Sequence, residues 1–169
     1  MDRRLVLWLA PIFTTIHNVE EALLMPAMLE RRNSSVPGLF QKLIPPITYK
    51  QFLIALAITT VIPYVIAGCG DLLLIGGRAV YLLLIFQAMM LFNVLAHGMM
   101  ATMMGGYAPG LATALILNLP FSIYLFRRAD KEQWVNKKSL RLAFVIGGLL
   151  HTPGLTAVIL IAGSIANKV

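Results

Sequence analysis

Five apolar runs, at about 5–29, 51–75, 79–104, 108–126 and 142–166, take up most of the 169 residues. A helix needs ~20 mostly apolar residues to cross the hydrocarbon core of a bilayer, and the runs have that length. Backbone amides in lipid must find partners inside the structure, and a helix supplies them within one segment. The runs lack the polar/apolar alternation that a β-barrel strand shows. The expected fold is therefore all-α: a polytopic membrane protein, a bundle of five transmembrane helices forming one domain over residues 1–169. Composition agrees, with 59% hydrophobic and only 12% charged residues.

The net charge of +7 would suggest nucleic acid in a soluble protein. Here the basic residues sit between the apolar runs, and no basic patch is interleaved with aromatics. Topology and lipid headgroups account for them, and nucleic acid is not an expected partner. The N-terminus, Met1-Asp2-Arg3-Arg4 before an apolar run, resembles a secretory signal. The run is too long and no small-x-small site ends it, so it reads as the first helix. Cys69 stands alone between Gly68 and Gly70 and reads as a small packing residue.

Two connections are long. The segment 30–50 contains Pro37-Gly38 and Pro45-Pro46, and the segment 127–141 is strongly basic. Pro45-Pro46 reads as leading an interfacial segment into the second helix, and Asp71 as an interfacial charge. Trp8, Trp134 and Tyr107 read as interfacial anchors. Five spans put nine Lys and Arg on the side of the N-terminus and five on the other. The positive-inside rule then places the N-terminus in the cytoplasm and the C-terminus outside, in a bacterial cytoplasmic (inner) membrane.

Each of the three histidines lies in an odd-numbered run, and those runs point the same way. At ~1.5 Å rise per residue, His17, His97 and His151 lie roughly 20, 29 and 15 Å from the cytoplasmic boundary. Tilt and an error of one turn at the boundaries would bring them together. The first histidine heads the string His17-Asn18-Val19-Glu20-Glu21. An ionisable group at the bilayer centre costs ~2.5–3.5 kcal/mol on insertion scales, so two carboxylates beside a histidine imply a bound cation or a proton path. His17 shares a helical face with both Glu20 and Glu21, at i,i+3 and i,i+4. The two glutamates are adjacent and point about 100° apart, so at most one sits centrally on a metal.

Asn93 and His97 are four apart and share a face; Asn93 is suited to orienting a ligand or polarising a substrate oxygen. Thr152 and Pro153, after His151, can loosen the helix and expose a carbonyl. The metal candidates are His17, Glu20, Glu21, His97 and His151; the catalytic candidates are Glu20, Glu21 and Asn93. Pro109, Gly110 and Thr113 read as a helix start with proline in its first turn, where an anionic group could bind. Together with Tyr107 and Thr152 they are the candidates for contacting substrate. The methionines flanking His97 suit an adaptable lining, and Gln87 and Asn118 suit interhelical hydrogen bonds. The plain alternative for each histidine is a hydrogen-bonded knot that fixes helix packing.

These strings resemble those of the HXXEE-motif membrane proteins: His17 to Glu21, then Asn93 and His97, then Pro109-Gly110-Leu111-Ala112-Thr113. The resemblance covers the first 113 residues and implies which residues matter, since that family carries no assigned reaction. His151 lies outside the three strings.

The chemistry expected of this set is that of an intramembrane metal-dependent enzyme acting on a lipid-like or other apolar substrate, by hydrolysis first of all. Zinc is favoured over iron, with a glutamate as general base. Alternatives are an iron-dependent oxidoreductase, a metal-free isomerase or cyclase, and a small proton- or cation-coupled transporter. Membrane lipid is the expected partner, and self-association into a homo-oligomer is the other partnership such a small bundle allows.

Overall fold

The computed structural model describes residues 2–35, 47–72 and 76–168, and among them the regular structure is all helical. Helix α1 is Arg3–Ser35, α2 is Tyr49–Leu72, α3 is Gly76–Met103 and α5 is Lys137–Ala166. Helix α4 is one rod over 111–131 made of three pieces: Leu111–Thr113, a π-turn at Ala114–Asn118, and Leu119–Lys131. These are the five helices that hydropathy predicts, with shifted ends. Helix α1 runs beyond 29 to Ser35. Helix α4 begins at 111 rather than 108, and α5 at Lys137 rather than 142. The α5 shift has a local cause: the Asn136 side chain accepts a hydrogen bond from Ser139 N at 2.7 Å, and this cap draws two lysines into the first turn. Pro45, Pro46 and the Asp71 side chain, where an interfacial segment and an interfacial charge are expected, lie outside the described residues.

Helices α2, α3 and α5 are long and apolar enough to cross a membrane. Helix α1 is longer, but its polar string lowers its hydropathy. Helix α3 is the centre of the bundle and packs against all four others. Outward faces are apolar: Leu23, Ile116 and Leu149 are 73%, 69% and 70% exposed. In water such faces would be a liability; lipid tails would cover them.

One half of the bundle is a plain apolar core. Val6 and Ala10 of α1, Val80 and Leu84 of α3, Phe121 and Leu125 of α4 and Ala143 of α5 meet there. Gly147 lets α5 approach α3 at Ala88 and at the Ile85 carbonyl, where a side chain would collide. Trp134 seals the end of this core. It is 9% exposed, so it is a packed plug rather than an interfacial anchor. Its indole N–H donates to Glu132 Oε2 at 2.8 Å, and the Arg128 guanidinium lies 5.6 Å from its ring centre. Arg128 also donates to Glu132 Oε1 at 2.6 Å, and these two bonds hold the Glu132 carboxyl below the usual carboxylate range.

Prolines leave their mark without breaking the rods. Pro26 lies inside α1 and cannot donate to the Ala22 carbonyl. The Tyr49 hydroxyl takes that carbonyl at 2.9 Å, tying the start of α2 to α1. Pro120 follows the π-turn of α4. It has no N–H for the Ile116 carbonyl and its ring would crowd it, and a turn widened by one residue relieves both problems. On an α-helix a step of five residues turns the side chain about 140° away. In the wider turn, closed by Leu119 N to Ala114 O, Thr113 and Asn118 both face the bundle. Pro153 lies within α5, which continues through it, and it has no N–H to give the Leu149 carbonyl.

Candidate metal centre

The adjacent glutamates of α1 part company, as their 100° separation requires. Glu21 turns toward the histidines. Its Oε1 is 3.4 Å from His97 Nε2 and its Oε2 is 3.9 Å from His17 Nε2. The two imidazoles meet edge to face with ring centres 5.0 Å apart. His17 is fully buried and His97 is 4% exposed. One ligand atom from each of His17, Glu21 and His97 lies within 4.8 Å of the other two. Ligands of a tetrahedral zinc at ~2.1 Å are about 3.4 Å apart, so small side-chain shifts would close this set on a cation.

Asn93 sits at the middle of the cluster. Its Nδ2 is 2.9 Å from His17 Nε2 and 3.0 Å from His97 Nε2. An amide nitrogen only donates, so in this arrangement both Nε2 atoms accept and present their lone pairs inward. The proton of His17 then rests on Nδ1, which donates to Thr113 Oγ1 at 2.9 Å. Thr113 in turn donates to the Gly110 carbonyl at 3.3 Å. This chain orients the ring and fixes its tautomer, as outer partners of metal-binding histidines do. On the other side of Asn93, its Oδ1 is 3.4 Å from His151 Nε2. His151 therefore reaches the cluster through Asn93 and is not one of the three convergent ligands.

Glu20 lies apart from that trio, contrary to its expected place among the ligands. Its Oε2 accepts from Thr113 N at 2.8 Å, and its Oε1 accepts from Ala112 N at 3.3 Å and from the Tyr107 hydroxyl. The physical reason is that the residue just before α4 is Gly110, which has no side chain to cap it. A carboxylate from a neighbouring helix satisfies the orphan amides and meets the positive end of the helix dipole. The anionic group expected at this helix start is thus a residue of the chain itself. Burial, then the hydrogen bond to Glu20, raises the Tyr107 hydroxyl above its usual range, which keeps it a donor.

Gly110 closes the cluster. Its φ is +82°, and a Cβ there would come within 2.8 Å of Glu21 Cγ, His17 Cε1 and His97 Cε1. Only glycine meets both demands. Pro109 is buried just before this residue and lies outside the helix, not in its first turn as expected. Thr152 is exposed on α5, and its carbonyl accepts from Thr156 Oγ1 within the same helix. It joins no site contact. Met99 and Met103 are 64% and 50% exposed, so these two face outward rather than line a cavity.

Two polar clusters support the centre. Asn18 Nδ2 donates to Thr60 Oγ1 at 2.7 Å and to Thr59 Oγ1 at 3.2 Å, locking α1 to α2 one residue from His17. The sequence signal was present, an asparagine inside the motif and a threonine pair in an apolar run. Gln87 Nε2 donates to Ser122 Oγ at 2.8 Å, the interhelical bond expected of it. Asn118 differs: its carbonyl accepts from Ser122, and its Nδ2 is buried with no partner among the described residues.

Comparison with known proteins places these residues in a family. The chain is similar to the uncharacterized protein YrkK of Bacillus subtilis (strain 168), with 30% identity over 138 residues, 80% of this chain and 82% of the relative. No solved structure matches it. Residues 8–125 match the family described as proteins of unknown function with an HXXEE motif. That stretch holds His17, Glu20, Glu21, Asn93, His97, Gly110 and Thr113 and leaves out His151, and the chain belongs to the HXXEE family.

Proposed function

We propose that this protein is an intramembrane metal-dependent enzyme acting on a lipid-like or other apolar substrate, with His17, His97 and Glu21 as ligands. The observation that carries the reading is the convergence of those three side chains, from two helices, on one buried point. Two histidines and a carboxylate are the protein ligands of a catalytic zinc site that keeps one position open. A divalent cation there would supply Lewis acidity toward a carbonyl or phosphoryl oxygen and activate water, which favours hydrolysis.

The chain's own residues have separable roles in this reading. Asn93, held between the imidazoles, would turn aside from the ligand lone pairs and hydrogen-bond a substrate oxygen. Thr113 holds the proton of His17 Nδ1 and orients that ring. Glu20 acts as a positioning residue, since it fixes the start of α4 and with it Thr113 and Gly110. His151 keeps the Asn93 amide oriented. The buried Ala108-Pro109-Gly110 segment excludes water from one side.

The same ligand set suits mononuclear iron, so an iron-dependent oxidoreductase is the second reading. All five helices would cross the membrane, with the N-terminus in the cytoplasm of a bacterial cell. The centre would then lie toward the outer face, where α3 ends and α4 begins.

Metal analysis of the purified protein tests the proposal. Wild type is expected to carry close to one zinc per chain, and His17→Ala and His97→Ala to carry almost none. Stoichiometric iron with a visible absorption band would move the assignment to the second reading. Wild type with no metal after reconstitution would overturn both.

A further inference from the structure

A cavity of about 450 Å³ opens at the end of the bundle away from the histidines, between the beginnings of α3 and α5. Its lining includes Arg78, Tyr81, Leu82, Val135, Asn136 and Ser139. The volume falls in the range of small-molecule sites, ~300–1,000 Å³. The chemistry of the lining is divided. Tyr81, Leu82 and Val135 offer an apolar wall, and Leu82 is 48% exposed on the outer face of α3. Among the described residues, Arg78 is the charged residue of the lining and no carboxylate belongs to it. Lys137 and Lys138 lie in the chain between the lining residues Asn136 and Ser139, and Arg141 follows. The nearby Glu132 is already bonded to Arg128 and Trp134.

The first turn of α5 does not provide the attraction, because Asn136 already caps Ser139 N. What remains is a cationic rim, Arg78 with the exposed Lys137 and Lys138 next to lining residues in the chain, beside an apolar wall. A small free anion would use the rim and ignore the wall. A zwitterionic lipid would bring its own cation against Arg78 and the lysines. An amphiphile with a net negative head matches both parts.

We propose that this cavity binds one anionic glycerophospholipid, its phosphate at Arg78 and an acyl chain along Leu82 and Tyr81. The site is separate from the metal centre, and its test does not depend on catalysis. Arg78 and the motif residue Asn93 lie on the same helix, about 22 Å apart along its axis at ~1.5 Å per residue, too far for one headgroup to serve both.

The experiment uses the full chain in nanodiscs of phosphatidylcholine with and without phosphatidylglycerol, read by native mass spectrometry and thermal unfolding. Wild type is expected to retain one phosphatidylglycerol selectively and to unfold at a higher temperature when it is present. Arg78→Gln should weaken retention about fivefold, the worth of one basic residue near an anionic surface. Arg78→Lys should keep most of it, and Lys131→Gln, in the basic segment 127–141 but outside the cavity lining, should change nothing. Equal losses in Arg78→Gln and Lys131→Gln would mean diffuse surface charge and overturn the site. So would stabilisation by inorganic phosphate alone that equals that of the lipid.

Discussion

The same three helices, α1, α3 and α4, build two unlike regions. In one, Val6, Val80, Leu84, Phe121 and Leu125 pack into a buried apolar cluster. In the other, His17, Asn93, His97 and Thr113 are linked by hydrogen bonds, and a Glu21 oxygen lies 3.4 Å from His97 Nε2. The first region decides that these helices associate; its contacts are numerous, non-directional and replaceable by volume. The second decides how they are aligned along their axes, because each hydrogen bond there accepts one register. Apolar packing and polar alignment are therefore carried by different lengths of the same rods, and substitutions should separate them.

The largest effect is expected where the two demands fall on one atom. Gly110→Ala should reduce bound metal below detection, because the added methyl meets both histidines and Glu21 and the backbone has positive φ. Inductively coupled plasma mass spectrometry of the purified variant measures it, and a variant with normal metal content would break the account of the centre. Next comes Leu84→Ala in the apolar region, where Leu84 has no exposed surface. It should cost about 2–5 kcal/mol in unfolding free energy while metal content stays at the wild-type level. Loss of metal from the folded Leu84 variant would show that the two regions are not separable.

Thr113→Val sharpens the comparison from the other side. It keeps the shape, removes the partner of His17 Nδ1, and should lower metal affinity by about 10–100-fold with little change in the unfolding temperature. Competition with a fluorescent chelator reads that change. A Thr113→Val protein that unfolds as easily as Leu84→Ala would mean that the polar region is chiefly a packing device.

Hydropathy was enough to place the five helices, because a lipid-facing helix declares itself residue by residue. It misplaced their ends, since the Asn136 cap and the start of α4 at Gly110 depend on single hydrogen bonds. The histidines, Glu21 and Asn93 were legible because polar residues in apolar runs stand out. Their division of labour was not. That Glu20 caps α4 follows from Gly110, ninety positions away in the sequence, lacking a side chain. That His151 arrives through Asn93, and that Thr152 faces outward, follow from the rotation of α5 against α3, which periodicity alone does not fix. The sequence leaves Trp134 ambiguous, because an indole near a basic segment suits an interface and a sealed core equally.

The widened turn at Ala114–Asn118 carries a consequence for how such chains can vary. It is a phase shift between two stretches of one rod, the stretch that serves His17 and the stretch that serves Gln87. Substitution within it leaves that offset intact, whereas the loss of a single residue cancels it and swings one stretch away from its partners. Length, more than side-chain identity, is what this part of the molecule has to preserve.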